Sequence, residues 1–237
     1  MFFRRLATRH RQPELMDQPE LDPAQHRQAL GGLERINRLS SSSGILWPTI
    51  RNLGRQLEPR PIRILDVACG AGDVAISLFH RAVRSQIVVE ITGCDLSPVA
   101  IEYARQRAHA TKADVSFQVL DVLNNPLPSD FDVITCSLFL HHLDEADALR
   151  LLQKLGVATR RTVLVNDLAR SRLGYVLAWA GTRVLSRSSI VHFDGPLSVE
   201  GAFTPAEALF LAEQAGLHGA TVRRRWPCRY LLQWSRV

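Results

Sequence analysis

Three carboxylates and two glycines carry the most legible chemistry in this chain. Asp66 precedes the glycines in Asp66-Val67-Ala68-Cys69-Gly70-Ala71-Gly72. Asp95 stands in Gly93-Cys94-Asp95-Leu96-Ser97, and Asp121 in Leu120-Asp121-Val122. Each acid follows a short apolar run that reads as a strand. Each therefore sits at a strand's carboxyl end, where open α/β sheets bind ligands. Gly70 and Gly72 break the first run, and a helical pattern with Val74, Ala75 and Leu78 follows. Small residues at such a turn let the backbone approach a ligand, and the helix start presents free N–H groups. Asp66 is placed to receive an ammonium and Asp121 an adenine amino group. Asp95 suits a pair of ribose hydroxyls, because one carboxylate accepts from both.

The glycines alone are ambiguous. Gly70-x-Gly72-x-x-Ala75 also satisfies the relaxed dinucleotide fingerprint, so an NAD(P)-binding oxidoreductase is the alternative fold-level reading. A carboxylate at Asp66 sits awkwardly beside a pyrophosphate, however. Acids at three successive strand ends suit a ligand with an amino acid, a ribose and a base but no phosphate, which describes S-adenosylmethionine. These residues resemble the class I S-adenosylmethionine-dependent methyltransferases over residues 63–165, with family-like elements beyond. Leu65-Asp66-Val67-Ala68-Cys69-Gly70-Ala71-Gly72 is similar to that family's first motif. Asp95 matches its ribose-binding position and Asp121 its adenine-side position. Ala68, Cys69, Leu96, Val122 and Ser137 complete the expected cofactor-contacting set. The general look is that of methyltransferases of quinone and polyketide biosynthesis, which implies a small aromatic, phenolic or lipid-like acceptor methylated on oxygen or carbon.

Such a transfer needs an acceptor held in line with the donor methyl group, and an oxygen acceptor also benefits from a base. Three histidines are candidates. His141 and His142 follow the fourth apolar run in Ser137-Leu-Phe-Leu-His-His-Leu, beside the expected donor site. His192, in Val191-His-Phe-Asp-Gly-Pro, reads as a loop residue at the pocket mouth, with Asp194 fixing a turn. His142 is favoured over His192 because a core strand anchors its loop. Asp167, at the end of the fifth run, either orients the acceptor or caps the next helix. Tyr175 and Trp179 are read as pocket walls. The Asn/Asp-Pro-Pro-aromatic motif of nucleobase and glutamine methyltransferases is missing after the fourth run, which argues against nucleic-acid N-methylation. No His/Cys/carboxylate cluster with metal-ligand spacing is visible, so no metal is expected.

The elements that must position these residues are readable in outline. Strands are expected at 62–67, 87–94, 115–120, 131–137 and 161–167, and a final hairpin near 219–225 and 230–234. Helices are expected at 22–39, after the Asp22-Pro23 start signal, and at 47–57, 97–111, 144–155 and 205–216. Strand–helix alternation implies an α/β fold: a Rossmann-like, seven-stranded, mostly parallel sheet with a C-terminal antiparallel hairpin and helices on both faces. Residues 1–58 read as an N-terminal arm and cap helices, and 59–237 as the methyltransferase domain. Within the latter, 168–203 exceeds an ordinary loop. Its helix is apolar on more than one face and must meet a ligand or another surface, so it reads as a lid over the acceptor.

Composition bounds the rest. The chain has 237 residues, 46% of them apolar, and a formal charge of +6 carried almost wholly by arginine; Lys112 and Lys154 are the only lysines. That bias gives poor support for nucleic-acid binding. Arg223, Arg224, Arg225 and Arg229, interleaved with Trp226 and Tyr230, keep an RNA methyltransferase as an alternative, against edge-strand charge that blocks aggregation. A non-catalytic cofactor-binding partner protein is the third class. Four cysteines without C-x-x-C spacing read as reduced thiols in a cytoplasmic protein. The basic N-terminus reads as a frayed end, with peripheral membrane contact as its other reading, and a homodimer contact through 168–203 stands beside the lid.

Overall fold

Central apolar runs, buried on both sides, set the architecture. The structure is a computed structural model that describes residues 6–17 and 21–236. Strands β1 (Ile62–Val67), β2 (Val89–Asp95), β3 (Val115–Val119), β4 (Phe131–Ser137), β5 (Thr159–Leu168), β6 (Thr221–Arg225) and β7 (Arg229–Ser235) form one seven-stranded sheet in the order β3-β2-β1-β4-β5-β7-β6. Only β7 runs antiparallel to its neighbours. Strand alternation sends successive side chains to opposite faces. Leu65, Ile134, Val163 and Tyr230 pack on one face with helices α5 (Glu145–Ala158) and α8 (Pro205–Gln214). Ile64, Val133, Leu164 and Leu231 pack on the other with α2 (Ser42–Leu57), α3 (Asp73–Arg84) and α4 (Pro98–Thr111).

The expected α/β class, the mixed sheet and the terminal hairpin are all present. Helix starts are legible because their caps are local chemistry. Asp22 caps α1 (Pro23–Ser40) by accepting from Ala24 and Gln25, Ser97 caps α4, and Thr204 and Glu207 form a capping box on α8. Boundaries differ where no such signal exists. The gap left between the helices expected at 22–39 and 47–57 shrinks to Ser41, in the left-handed region, and α2 begins at Ser42. Buried Ser42 and Ser43 face neighbouring polar groups, so this polar run is helix rather than loop.

The segment 168–203 holds two helices rather than one. They are α6 (Arg172–Leu185) and α7 (Ser189–Gly201), packed on each other and on α1. The stretch around His192 is therefore helical, with Pro196 inside α7. Asp194 lies within that helix. It accepts from the backbone N–H groups of Leu15 and Met16 and so tethers the arm. Along α6, Leu173, Val176, Trp179 and Val184 remain exposed.

The N-terminal arm does not fray over residues 6–17, whereas residues 1–5, the start of the basic stretch read also as a membrane contact, lie outside the described residues. Arg9 donates to the carbonyls of Gly201, His141 and Leu143, and Arg11 to that of His142. The arm is thus pinned onto the loop after β4. No helix among the described residues is long and apolar enough to cross a membrane. The described cysteines are all free thiols.

Candidate active site

The strand order reverses between β1 and β4, and ligands of open α/β sheets bind at such a reversal, outside the carboxyl ends of the strands. The turn after β1 forms one wall there. Ala68, Gly70 and Gly72 all take positive φ (53°, 51° and 71°), which turns the chain sharply into α3. A Cβ on Gly70 would meet nothing within 4 Å, so its backbone faces the open cavity. Gly72 serves packing instead. A Cβ there would lie 2.7 Å from the Phe117 ring and 3.0 Å from Ala104, and Gly72 is not part of the cavity wall. Gly72→Ala combines left-handed strain with overpacking. It is expected to lower stability by about 2–4 kcal/mol, read from the urea midpoint; an unchanged midpoint would contradict the packing role.

The three acids differ in their surroundings. Asp66 is buried at the end of β1, where Thr135 of β4 donates to its Oδ1 at 2.7 Å. Its Oδ2 is sealed from solvent and accepts no hydrogen bond. Burial, with Asp73 and Asp95 nearby, pushes the carboxyl up to about 7 against the opposing Thr135 and Ala75 donors. Asp95 accepts from the Gly70 N–H at 2.8 Å and the Ser97 N–H at 2.9 Å, which fixes the carboxylate against the glycine turn. Asp121 accepts from Leu123 N, Asn124 N and the Asn124 amide, and these bonds, the amide's first, hold it below the usual carboxylate range. A carboxylate has about four acceptor sites, so Asp121, with three donors, retains capacity for a ligand.

All three acids line one cavity of about 820 Å³, together with Ala68, Cys69, Gly70, Leu96, Val122 and Ser137. Leu96 is 65% exposed and available for contact with a flat ligand. The Ser137 hydroxyl is buried and has no hydrogen-bond partner. Burial holds the Cys69 thiol well above its ordinary value, so it is no nucleophile near neutral pH. Asn37 of α1 and Gly174, Leu177, Ala178 and Thr182 of α6 close the cavity from above the sheet.

The histidines separate clearly. After β4, Leu138 turns with positive φ into a short 3₁₀ turn, Leu140–His142, which presents His141 and His142 to the cavity. His141 is 5% exposed, and its Nδ1 lies 2.6 Å from Asp167 Oδ1. Asp167 Oδ2 also accepts from the His141 N–H at 3.1 Å. Burial alone would push Asp167 up, but the His141 imidazole and the Leu168 N–H hold it below the carboxylate range. With Nδ1 held against Asp167, the ring turns Nε2 toward Glu14 and the cavity. Glu14 of the arm meets both imidazoles there: its carboxylate oxygens lie 3.8 Å from His141 Nε2 and 3.8 Å from His142 Nε2.

Five expected placements differ. His192 lies on α7 outside the cavity wall, its Nε2 2.8 Å from the Ser186 carbonyl oxygen. Asp167 is buried behind His141 rather than facing an acceptor. Tyr175 and Trp179 are not wall residues; the helix turns its small side chains inward, and Trp179 is 49% exposed with Arg183 stacked on it. Arg229 is not part of a basic surface. It is buried on the cavity wall, donates to Ser42 and Asn37, and is lowered to about 10 by burial. Arg223 and Arg224 are exposed and Arg225 is partly so on edge strand β6. Glu14, Asn37 and Arg229 escape sequence reasoning because their signal is purely tertiary; each comes from an element remote in sequence from the glycine turn.

Residues 64–161 match the family model described as a methyltransferase domain. Among curated proteins, the chain is 37% identical over 107 residues to a demethylmenaquinone methyltransferase of Deinococcus radiodurans, covering 44% of this chain and 43% of that one. It is 32% identical over 126 residues to a ubiquinone biosynthesis O-methyltransferase of Alkalilimnicola ehrlichii, covering 52% and 48%. The chain spans about half the length of the curated relatives it matches. Among solved structures, human N-acetylserotonin methyltransferase in complex with SAM superposes with a TM-score of 0.63 at 19% identity, covering 92% of this chain and 59% of that one. Magnesium protoporphyrin IX methyltransferase from Synechocystis superposes at 0.58 and 16%, covering 93% and 90%. Sheet order and glycine turn agree with that match: residues 64–161 are similar to a methyltransferase domain, and the chain has the fold of these solved methyltransferase structures.

Proposed function

We propose that this chain transfers the methyl group of S-adenosylmethionine to a small aromatic, phenolic or lipid-like acceptor, on oxygen or carbon. The observation that carries this reading is the buried Asp66 Oδ2, which accepts no hydrogen bond, on the wall of a cavity shared with Asp95 and Asp121. An orphaned carboxylate oxygen is costly unless a ligand pairs with it, and an ammonium fits. Asp95 faces the same space for ribose hydroxyls and Asp121 for an adenine amino group, while the buried Arg229 cation suits a carboxylate. The names of the curated relatives, in menaquinone and ubiquinone biosynthesis, support a quinone-like acceptor.

The bound donor supplies a methyl carbon on a positively charged sulfur. The chain's residues do the rest by placement. Asp66, Asp95 and Asp121 fix the two ends of the donor, and the apolar inner face of α6 holds the acceptor ring and excludes water. In transfer to oxygen, a bound donor would give up its methyl group as the new O–C bond formed and its C–S bond broke, leaving a neutral thioether, and the hydroxyl proton would leave at the Glu14–His141–His142 corner. Radiolabelled methyl transfer to quinol-type phenols tests the reading. Labelling of total RNA but of no phenolic acceptor would overturn it.

One prediction follows from Asp66. Its folded value of about 7 means that the ionised form, the one that pairs with an ammonium, dominates only above that pH. Donor affinity should therefore rise with pH through 7 and weaken about tenfold between pH 8 and pH 6. Calorimetry across that range checks it. A flat profile would remove Asp66 as the ammonium partner, and Asp66→Asn should abolish the slope.

A further inference from the structure

We infer that Glu14, His141 and His142 form a divalent transition-metal site, with zinc the best-matched ion, on the acceptor side of the cavity. The inference rests on the methyltransferase reading only for its catalytic consequence. Its basis is geometric. One ligand atom from each of the three residues lies within 4.8 Å of the other two. Both carboxylate–imidazole separations are 3.8 Å, too long for hydrogen bonds. Ligands on a tetrahedral zinc at about 2.0–2.1 Å stand about 3.3–3.5 Å apart. Small side-chain rotations would bring the three atoms to that spacing.

The surroundings are those of a supported site. Asp167 grips Nδ1 of His141 at 2.6 Å, so Nε2 is the nitrogen turned to the cavity. This is the carboxylate–histidine arrangement that orients metal ligands and raises their basicity. Ser198 donates to Glu14 Oε1 at 2.5 Å and fixes the carboxylate. Glu14 and His141 are buried, where a carboxylate needs a compensating positive charge. Two imidazoles and one carboxylate suit zinc and neighbouring ions over magnesium or calcium. Three protein ligands beside an open cavity leave a position for an acceptor oxygen. A cation there would act as a Lewis acid, easing loss of the hydroxyl proton, with the histidines serving as ligands. It would also tie the arm to the loop that Arg9 and Arg11 already clasp.

The test uses tag-free protein, stripped with a chelator and titrated with zinc by calorimetry and with cobalt by visible absorption. A single equivalent of zinc is expected to bind, and cobalt to give the absorption of a low-coordinate site. Glu14→Gln and His142→Ala should each weaken zinc by at least about 100-fold, and Asp167→Asn by about 10–100-fold. Should Glu14→Gln not fold, His142→Ala decides, because the Arg11 hydrogen bond that pins the arm to this loop is made to the His142 backbone carbonyl. Wild-type protein that binds zinc no tighter than the His142→Ala variant would overturn the site. Donor binding on the same samples separates the two readings. Intact S-adenosylmethionine binding without zinc removes the cation alone, and zinc binding without S-adenosylmethionine binding removes the methyltransferase reading alone.

Discussion

Replacing His141 by alanine is expected to lower methyl transfer by about 10²–10⁴-fold, the usual cost of losing help with an acceptor's proton, whether the imidazole takes that proton itself or holds a cation that eases its loss, while donor affinity stays near the wild-type value. The separation is expected because His141 and the donor acids act on different parts of the cavity. His141 comes from the turn after β4 and faces Glu14, whereas Asp66 and Asp95 belong to the glycine turn after β1 and its neighbour β2. The substitution should spare the loop. The backbone N–H of His141 keeps its bond to Asp167 Oδ2, and Asp167 Oδ1 keeps the Leu168 N–H. Single-turnover kinetics with saturating donor would measure it. A rise in KM with kcat unchanged would mean that His141 only contributes uniform binding. His192→Ala is the internal control, since that side chain bonds to the Ser186 carbonyl away from the cavity. Near-normal turnover for both His141→Ala and His142→Ala would leave catalysis to positioning of an acceptor already ionised.

Asp95→Ala should weaken S-adenosylmethionine binding by about 10²–10⁴-fold, because two hydrogen bonds to a charged acceptor contribute roughly 1.5–3 kcal/mol each. The effect has an indirect part as well. Asp95 holds the Gly70 N–H at 2.8 Å, so its loss also frees the turn that approaches the ligand. Asp95→Asn keeps one acceptor oxygen and should fall between the two. Calorimetric affinity of the alanine variant within a few-fold of wild type would sink the ribose assignment. Tight NADH binding by the wild-type protein would sink the donor assignment with it.

Much of the donor side is legible in the amino-acid sequence because its determinants are local. A strand, a turn with positive φ and a capped helix are each specified by neighbours along the chain. Asp66, Gly70, Asp95 and Asp121 therefore fall on the cavity wall as their spacing implies. Gly72 shows the limit of that logic. It occupies its motif position, but the Phe117 ring against it, and not a ligand, is what excludes a side chain there.

The acceptor side is decided by tertiary structure. Helical periodicity says that α6 must turn apolar groups toward more than one partner, but not which. The fold turns Gly174, Ala178 and Thr182 inward and leaves Tyr175 and Trp179 off the cavity wall. His141 and His142 look equivalent in sequence, and only the arrival of Asp167 from β5 distinguishes them by fixing one ring through Nδ1. Glu14 and Arg229 carry no signal at all. One lies in an arm that reads as a loose end, the other in a run that reads as surface charge. The sequence alone determined the sheet, the glycine turn and the donor acids, because hydrophobic period and turn chemistry act over a few residues. What joins the arm, the β4 loop and β7 around one cavity is burial and charge pairing between distant segments, and only the folded chain brings those segments within reach of each other.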